Sequence, residues 1–211
     1  HLCPHKKALG IDRNGGFAEY VAIAGDLAHR LPDGVSPEEG ALMEPTAIVC
    51  HALLVKSTIQ CIDKVVVIGP GPIGIISAQV ARAVGTQEVV VVGVRRDREK
   101  RLRLCQELGF LTYEAEDREK IKPLRDYFDV AIEASGASQG VSLAIDLLKK
   151  DKKLIAIGIP MEDLSSIPWG EAVRKSQTLI CSYSSSYPAW EMALSLVSSG
   201  KIKLKSLITH D

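Results

Sequence analysis

At positions 65–74 the chain reads Val-Val-Val-Ile-Gly-Pro-Gly-Pro-Ile-Gly, an apolar run that passes directly into the glycine pattern GxGxxG. Four β-branched residues in succession, Val65–Ile68, are typical of a strand that is covered on both faces. A helical pattern over Ile75–Val84 follows the last glycine. Because the glycines lie between a strand and a helix, this stretch predicts a phosphate-binding turn, and it decides the fold around it.

Each glycine of this turn has a physical role in such a site. Gly69 permits the tight turn, Gly71 lets the backbone approach a pyrophosphate, and Gly74 lets the helix pack closely on the strand. The N-terminus of the helix adds unpaired N–H groups and a partial positive charge. An ordinary glycine-rich turn and the nucleotide loop of a methyltransferase are the alternatives. The residues expected to hold the pyrophosphate of a dinucleotide are Gly69, Gly71, Pro72, Ile73 and Gly74.

Strands and helices alternate in the rest of the chain. Further apolar runs, taken as the second, fourth, fifth and sixth strands with the third left unassigned, are Val89–Val92, Phe128–Ile132, Leu154–Ile157 and Thr178–Cys181. Two sets of residues repeat at i, i+3, i+4 and i+7 as in amphipathic helices, namely Val141, Ala144, Ile145 and Leu148, and Trp190, Ala193, Leu194 and Val197. This alternation predicts βαβ units and a doubly wound parallel α/β sheet.

Small residues follow the fourth and fifth strands, where ligands of open α/β sheets bind. Ala134 and Ser135 come after one strand, and Gly158 and Ile159 come after the other. Taken alone, each segment is an ordinary strand-to-loop turn. Together with the glycine-rich turn they favour a dinucleotide, so we expect these four residues to flank the nicotinamide of NADP or NAD.

The end of the second strand bears on the choice between the two nucleotides. NAD-binding folds usually place an acid here to bind the ribose 2′-hydroxyl, but this chain has Gly93, followed by Arg95, Arg96 and Asp97. Two cations without the acid predict NADP. The alternatives are a solvated basic loop with Asp97 as a helix cap, or an Asp97 that reaches the 2′-hydroxyl and restores NAD preference.

Composition excludes several classes of partner. The 26 basic and 26 acidic side chains give a formal net charge of zero, which argues against nucleic-acid or membrane-surface binding. We see no targeting signal and no apolar run that approaches a membrane span. Five cysteines without a CxxC pair predict a reducing, cytoplasmic location. The four expected to be buried or half-buried are Cys50, Cys61, Cys105 and Cys181.

The first part of the chain has a different pattern. Gly15-Gly16 predicts a turn and Phe17–Ala24 a strand, while Ser36 and Pro37 predict the start of a helix, with serine as the cap. This segment is too short to bury a core alone, so we expect it to pack on sequence beyond these 211 residues. A further apolar helix is predicted over Ala47–Val55.

A series of motifs runs through the chain in a set order and spacing: Gly15-Gly16-Phe17-Ala18-Glu19-Tyr20, Leu31-Pro32-Asp33, Gly40-Ala41-Leu42-Met43-Glu44-Pro45 and the Gly69–Gly74 turn. The series resembles the medium-chain zinc-containing alcohol dehydrogenases, in particular the sorbitol (polyol) and threonine dehydrogenase branch. The resemblance implies a Rossmann domain inserted in a GroES-like catalytic domain. Residues 1–44 would then be the end of the catalytic domain, 45–198 the Rossmann domain, and 199–211 the return to the catalytic domain.

The resemblance also implies two zinc sites, most of whose ligands lie outside this chain. Cys3 matches the last of four cysteines that hold a structural zinc. Glu44 matches a carboxylate placed at or near the catalytic zinc, bound directly or through water, and is the one catalytic candidate here; the alternative is an acid in the first turn of a helix, favoured by the helix dipole. His51 lies among apolar residues and is interpreted as a core histidine.

The function implied is hydride transfer between NAD or NADP and a secondary alcohol or polyol, assisted by zinc in the full-length enzyme. We expect these 211 residues alone to be inactive, and the parent to be a homodimer or homotetramer, because the last strand leaves a sheet edge open. One alternative is a non-catalytic nucleotide-binding module. The other is a zinc-free quinone-reductase-like member of the superfamily, which Glu44 and Cys3 argue against.

Overall fold

The computed structural model describes residues 2–161 and 166–209. Six parallel strands form one sheet in the order β3-β2-β1-β4-β5-β6, which confirms the predicted doubly wound α/β fold. The strands are β1 (Lys64–Ile68), β2 (Glu88–Gly93), β3 (Leu111–Glu114), β4 (Phe128–Glu133), β5 (Leu148–Ala156) and β6 (Thr178–Cys181). The order reverses direction between β1 and β4, and such a switch point opens a crevice at the carboxyl ends of the strands.

Helices cover both faces of the sheet. They are α1 (Pro37–Ala41), α2 (Met43–Cys50), α3 (Pro72–Ala83), α4 (Arg103–Glu107), α5 (Arg118–Ile121), α6 (Ser138–Leu147), α7 (Trp169–Arg174) and α8 (Tyr187–Ser198). Buried residues of α2, α3, α4 and α8 form one apolar cluster, and those of α5, α6 and α7 form a second cluster with the other face. Burial on both faces is the reason that β1 consists almost entirely of β-branched residues.

Two irregular segments adjoin the regular helices. A π-helical turn, His51–Lys56, continues α2. After β2 the chain forms a 3-10 turn, Arg95–Asp97, and a π-helical turn, Arg98–Leu102, before α4 begins. Other 3-10 turns lie at Gly25–Leu27, Lys122–Leu124 and Lys205–Leu207.

The predicted strand over Phe17–Ala24 is wrong. The segment forms no strand, and the side chains of Phe17 and Tyr20 are exposed. An isolated extended segment cannot satisfy its backbone hydrogen bonds, and the six strands of the sheet pair with one another rather than with this segment. The predicted helix start at Ser36 is confirmed: its hydroxyl accepts from the backbone N–H of Glu39, whose carboxylate accepts from the N–H of Ser36, as in a capping box.

Several predicted boundaries move. The helix predicted over Ala47–Val55 begins four residues earlier, at Met43, so Glu44 lies inside its first turn. Leu148 opens β5 instead of ending α6, and β5 begins six residues before the predicted Leu154. The start of β5 was predicted too late because the residues before Leu154 are mostly lysines and carry no apolar pattern. This part of β5 pairs with β4 through a register shift. The sequence predicts no strand at β3, which is a short strand at one edge of the sheet.

Two of the four cysteines expected to be buried are not. Cys50 and Cys105 are buried, and burial raises the pKa of each thiol to about 12. Cys61 and Cys181 are exposed, because Cys61 lies in the turn before β1 and Cys181 ends the edge strand β6. In the described part of the chain, no helix is long and apolar enough to cross a membrane.

The two ends of the chain contact the Rossmann body in different ways. Near the N-terminus, the His29 ring stacks on Trp190 of α8 at 4.9 Å, and its Nδ1 lies 2.9 Å from the Glu191 carboxylate. Near the C-terminus, the backbone N–H of Lys203 donates to Gln79 Oε1 at 2.7 Å, which anchors the last segment to α3. The division into residues 1–44, 45–198 and 199–211 stays a prediction, and positions 1, 210 and 211 lie outside the described residues.

Candidate nucleotide-binding site

The glycine-rich turn joins β1 to α3 at the switch point of the sheet. Gly69 has φ +98°, a left-handed conformation that side chains rarely adopt. A Cβ at Gly69 would lie 2.9 Å from the backbone nitrogen of Ser135, so the loop after β4 packs directly on the turn. A Cβ at Gly74 would lie 1.9 Å from the Gly69 carbonyl oxygen. Glycine is therefore required at both positions for the chain to close the turn.

Gly71 is a different case, because the fold itself does not exclude a side chain there. Its backbone is extended, with φ −71° and ψ 178°, and a Cβ would have no described atom within 4 Å. Gly71 is the N-cap of α3, and Pro72 follows at the first helical position. A glycine cap has no side chain to occupy the first N–H groups of the helix, which leaves them for an anion. Open space at this glycine is what backbone contact with a ligand requires.

A cavity of about 570 Å³ lies against this turn, within the range of small-molecule and cofactor sites. It extends over the carboxyl ends of β1, β2 and β4. The lining residues are Ile68, Gly69, Pro70, Gly71, Val92, Gly93, Val94, Arg96, Asp97, Arg101, Ala115, Glu116, Ala134, Ser135, Ala137, Gln139, Gly140 and Leu143. Predicted site residues from three separate segments are thus brought together in one crevice.

Some predicted residues lie outside that lining. Pro72 borders a smaller neighbouring cavity, and Ile73 and Gly74 lie in the first turn of α3. Gly158 packs against the loop after β4, since its Cβ would lie 2.3 Å from the backbone nitrogen of Gly136. Ile159 follows it with an exposed side chain. The two strand-end loops are therefore in contact with each other, as a shared binding edge requires.

The loop after β2 separates the two predicted arginines. Arg96 lines the cavity, whereas Arg95 is not among its described lining residues. The backbone N–H of Arg95 instead donates to the Glu116 carboxylate, at 3.1 and 3.2 Å. Arg101, which had no sequence signal, lines the cavity beside Arg96. The Glu116 carboxylate places one negative charge at the same rim.

Asp97 closes the loop on itself. One carboxylate oxygen accepts from the backbone N–H of Val94 at 3.1 Å, and the other lies 3.3 Å from Arg101 Nη1. The side chain is buried although it borders the cavity. These contacts close the 3-10 turn, whereas the helix cap considered from the sequence is not formed, because Asp97 makes no side-chain capping hydrogen bond to the helical turn that follows it.

Glu133, the last residue of β4, is a buried acid that the sequence analysis did not single out. The residue is 1% exposed. Its Oε1 accepts from the backbone N–H of Ser135 at 2.7 Å and of Gly136 at 3.1 Å, and from the Ser135 hydroxyl. The available signal was an acid that ends an otherwise apolar strand and precedes a serine and a glycine.

The residues that the family resemblance connects with zinc lie away from this lining. Cys3 is exposed. Glu44 lies in the first turn of α2, where partial loss of solvent around its carboxyl raises the pKa and nearby Lys6 opposes the shift. Within residues 2–161 and 166–209, no group of three or more His, Cys, Asp or Glu side chains could hold a metal ion. The described residues therefore do not form a zinc site of their own.

His51 has the structural role that its apolar surroundings predicted. It is buried, its Nδ1 lies 3.1 Å from the Ser186 hydroxyl, and burial lowers its pKa. It connects the end of α2 to the start of α8.

A parallel sheet in the order 3-2-1-4-5-6, with GxGxxG at its switch point, defines a Rossmann-type domain. The chain belongs to the zinc-binding dehydrogenase family, whose sequence profile matches residues 72–199. Sorbitol dehydrogenase of Halalkalibacterium halodurans is 36% identical over all of this chain and 62% of that protein. D-arabitol-phosphate dehydrogenase of Enterococcus avium is 31% identical over 99% of this chain and 60% of that protein.

Solved structures agree with this assignment. Galactitol-1-phosphate dehydrogenase of Escherichia coli is 30% identical with a TM-score of 0.82, over 96% of this chain and 61% of that one. A Sinorhizobium meliloti 1021 protein, assigned as a zinc-binding dehydrogenase and bound to NADP, is 26% identical with a TM-score of 0.86, over 97% and 61% of the two chains. The chain thus spans about three fifths of the length of the relatives it matches.

Proposed function

We propose that this chain is the nucleotide-binding part of an oxidoreductase that transfers hydride between NADP or NAD and a secondary alcohol or polyol. The proposal depends above all on the open backbone at Gly71, which borders the cavity at the switch point of the sheet. Gly71 lies between Gly69 and Gly74, where the packing of the turn requires glycine. When bound, the nicotinamide supplies the hydride acceptor or donor. The protein's contribution is to hold that group in place.

The relatives support this reaction class by their names. These names specify sorbitol, D-arabitol phosphate and L-threonine, and each of these compounds carries a secondary hydroxyl. In the proposed arrangement, the backbone of Gly69–Gly74 holds the pyrophosphate. Ala134 and Ser135 line the middle of the cavity, and Gly158 and Ile159 flank the nicotinamide.

We further propose that zinc assists the reaction in the whole protein, with ligands drawn mainly from sequence beyond these residues. Cys3 would complete a structural site. Glu44 would lie at or near the catalytic metal, directly or through a bound water, where a carboxylate orients the metal's other ligands.

We propose a preference for NADP over NAD, with Arg96 and Arg101 as the cations that face the 2′-phosphate. Gly93 stands where an NAD-binding fold usually has an acid, and Arg96 and Arg101 both line the cavity, where an arginine suits a phosphate better than a lysine would. A partly solvated contact of this kind contributes about 1 kcal/mol. Arg96→Ala is therefore expected to raise the Kd for NADP about fivefold and to leave the Kd for NAD within about twofold.

Arg95→Ala is the matched control, since Arg95 precedes Arg96 but lies outside the cavity lining. Titration of both nucleotides into both variants measures the difference. Equal loss of NADP affinity in the two variants, or tighter binding of NAD by the wild type, would overturn this assignment of Arg96.

We also propose that the protein forms a homodimer through the edge of β6. This strand ends the sheet, and α7, which precedes it, carries Trp169 and Val173 with 60% of each residue exposed. An open strand edge beside apolar side chains favours pairing with a second copy. Sedimentation equilibrium is expected to show a dimer that Val173→Asp converts to monomer.

The control for this experiment lies on the opposite edge strand. Leu111 on β3 is 59% exposed, so Leu111→Asp adds the same charge to a comparable site without touching β6. A wild type that remains monomeric at high concentration, or equal dissociation by both substitutions, would rule out the β6 interface.

A further inference from the structure

We propose that Glu133 is a positioning residue of the nucleotide site: its buried carboxylate locks the loop after β4 in place against both the glycine-rich turn and the loop after β5. This inference rests on the proposed nucleotide-binding function. It assigns a role to an acid that points away from solvent and that the proposed chemistry does not otherwise use.

The first line of support is the set of hydrogen bonds around the carboxylate. Oε1 accepts from the Ser135 backbone N–H, the Ser135 hydroxyl and the Gly136 N–H, while Oε2 lies 3.3 Å from the Gly136 nitrogen. The Ser135 hydroxyl oxygen in turn accepts from the Ala137 N–H at 3.2 Å. A carboxylate can accept all of these bonds at once, whereas an amide offers one acceptor oxygen and adds two donors.

The second line of support is the close packing around the same group. A Cβ at Gly158 would lie 2.5 Å from Glu133 Oε2, and a Cβ at Gly140 would lie 3.0 Å from Glu133 Oε1. The backbone carbonyl of Glu133 also accepts from the N–H groups of Ile157 and Gly158, at 2.9 and 3.0 Å. Glu133 therefore holds the loop after β5 through its backbone carbonyl, and its carboxylate fills the space beside Gly158.

The third line of support connects this network to the glycine-rich turn. Ser135, which the carboxylate fixes, approaches Gly69 so closely that glycine is required there, and Ser135 lines the cavity. Gly136, the other residue it fixes, has φ +68°, and a Cβ there would lie 2.5 Å from the Ile159 carbonyl oxygen. One buried carboxylate thus sets the spacing between the pyrophosphate turn and the proposed nicotinamide edge.

The strand order makes the proposal testable with two ligands. The adenosine end of a dinucleotide would lie toward β2, where Arg96 borders the cavity, and the nicotinamide end over β4 and β5. Adenosine 2′,5′-bisphosphate reaches only the first region, while NADP spans both. A residue that positions the β4 and β5 loops should therefore affect NADP binding far more than binding of the shorter ligand.

The experiment measures the affinity of Glu133→Gln and of Glu114→Gln for both ligands. Glu114→Gln is the control, because Glu114 also ends a strand. Its carboxylate accepts from the exposed Arg98, and neither residue belongs to the cavity lining. We expect Glu133→Gln to weaken NADP binding at least about tenfold, because the amide removes the charge that strengthens the bonds at Oε1 and would place an NH2 donor where Oε2 lies 3.3 Å from the Gly136 nitrogen. Binding of adenosine 2′,5′-bisphosphate should stay within about threefold, and Glu114→Gln should change neither.

If Glu133→Gln does not fold, Ser135→Ala removes one donor of the network and is expected to weaken NADP binding about threefold with the shorter ligand unaffected. Unchanged NADP binding in the variant, or equal loss for both ligands, would overturn the positioning role while leaving the proposed function intact. A wild type that binds neither ligand would overturn the proposed function, and this inference with it.

Discussion

Gly71→Ala is expected to remove most of the dinucleotide affinity while leaving the fold intact. The Gly71 backbone is already in a conformation that alanine adopts freely, and the added methyl group would meet no described atom within 4 Å. That methyl group would instead project into the space where the pyrophosphate approaches the start of α3. Losing one or two charge-assisted bonds from N–H groups to a phosphate weakens binding by about 3 kcal/mol, or roughly a hundredfold.

Two other glycines make this experiment specific. Gly74→Ala places a Cβ 1.9 Å from the Gly69 carbonyl oxygen, so we expect it to destabilise the fold by about 2–3 kcal/mol. Gly16→Ala has open space and lies outside the cavity lining, so it should change neither stability nor binding. Thermal unfolding and nucleotide titration on the three variants separate the two effects.

The decisive comparison is between affinity and stability in the Gly71 variant. A Tm within about 2 °C of the wild type together with a large loss of affinity would place the ligand against Gly71. Wild-type affinity in a folded Gly71→Ala protein would mean that the phosphates do not approach this residue, and the assignment of the turn would be wrong.

Lys175→Met is expected to produce a large loss of stability although Lys175 lies outside the cavity lining. The Lys175 side chain is 9% exposed, and its ammonium donates to the carbonyls of Ile145, Asp146 and Leu148 at 2.9, 3.0 and 3.2 Å. It also lies 2.9 Å from the Asp126 carboxylate. One cation thus satisfies the C-terminal carbonyls of α6, where positive charge is favoured.

Methionine fills a similar volume but donates no hydrogen bond. Gln177 Nε2 also donates to the Ile145 carbonyl at 3.0 Å, so this carbonyl keeps a hydrogen bond in the variant. We expect a decrease of about 3 kcal/mol in the free energy of unfolding, which in a domain of this size lowers Tm by about 6–12 °C.

Lys120→Met is the control for this substitution, because Lys120 makes an ion pair with Asp117 at 2.8 Å but its side chain is 69% exposed. An exposed pair of this kind contributes little to stability, because solvent screens it. Denaturant unfolding of both variants measures the difference. A loss below about 1 kcal/mol for Lys175→Met would show that Gln177 or solvent satisfies the helix end without the lysine.

Local patterns were sufficient to predict the centre of the fold. The β-branched run before Gly69 is a strand because only burial on both faces tolerates it, and the glycines after it have one common structural use. The β2 and β4 segments were predicted for the same reason. No sequence pattern predicted β3, because a short edge strand needs neither a long apolar run nor regular alternation.

Features that depend on partners distant in sequence could not be predicted. The run at Phe17–Ala24 is rich in aromatic and β-branched residues like a strand, but a strand forms only where another strand supplies hydrogen bonds. Neighbouring arginines are equivalent in the sequence, and the 3-10 turn after β2 decides that Arg96 and not Arg95 borders the cavity. Glu133 was overlooked because its role depends on loops that meet it only in the folded chain.

In the proposed complex, the dinucleotide lies along the carboxyl edge of the sheet with its pyrophosphate at the start of α3. Amide NMR spectra of the ¹⁵N-labelled protein, recorded during titration with NADP, test this claim most directly. We expect saturable shifts of the backbone amide signals of Gly71, Ile73 and Gly74, together with those of Ser135 and Arg96. Saturable binding that leaves these amides unmoved, or a spectrum that NADP does not change at all, would contradict it.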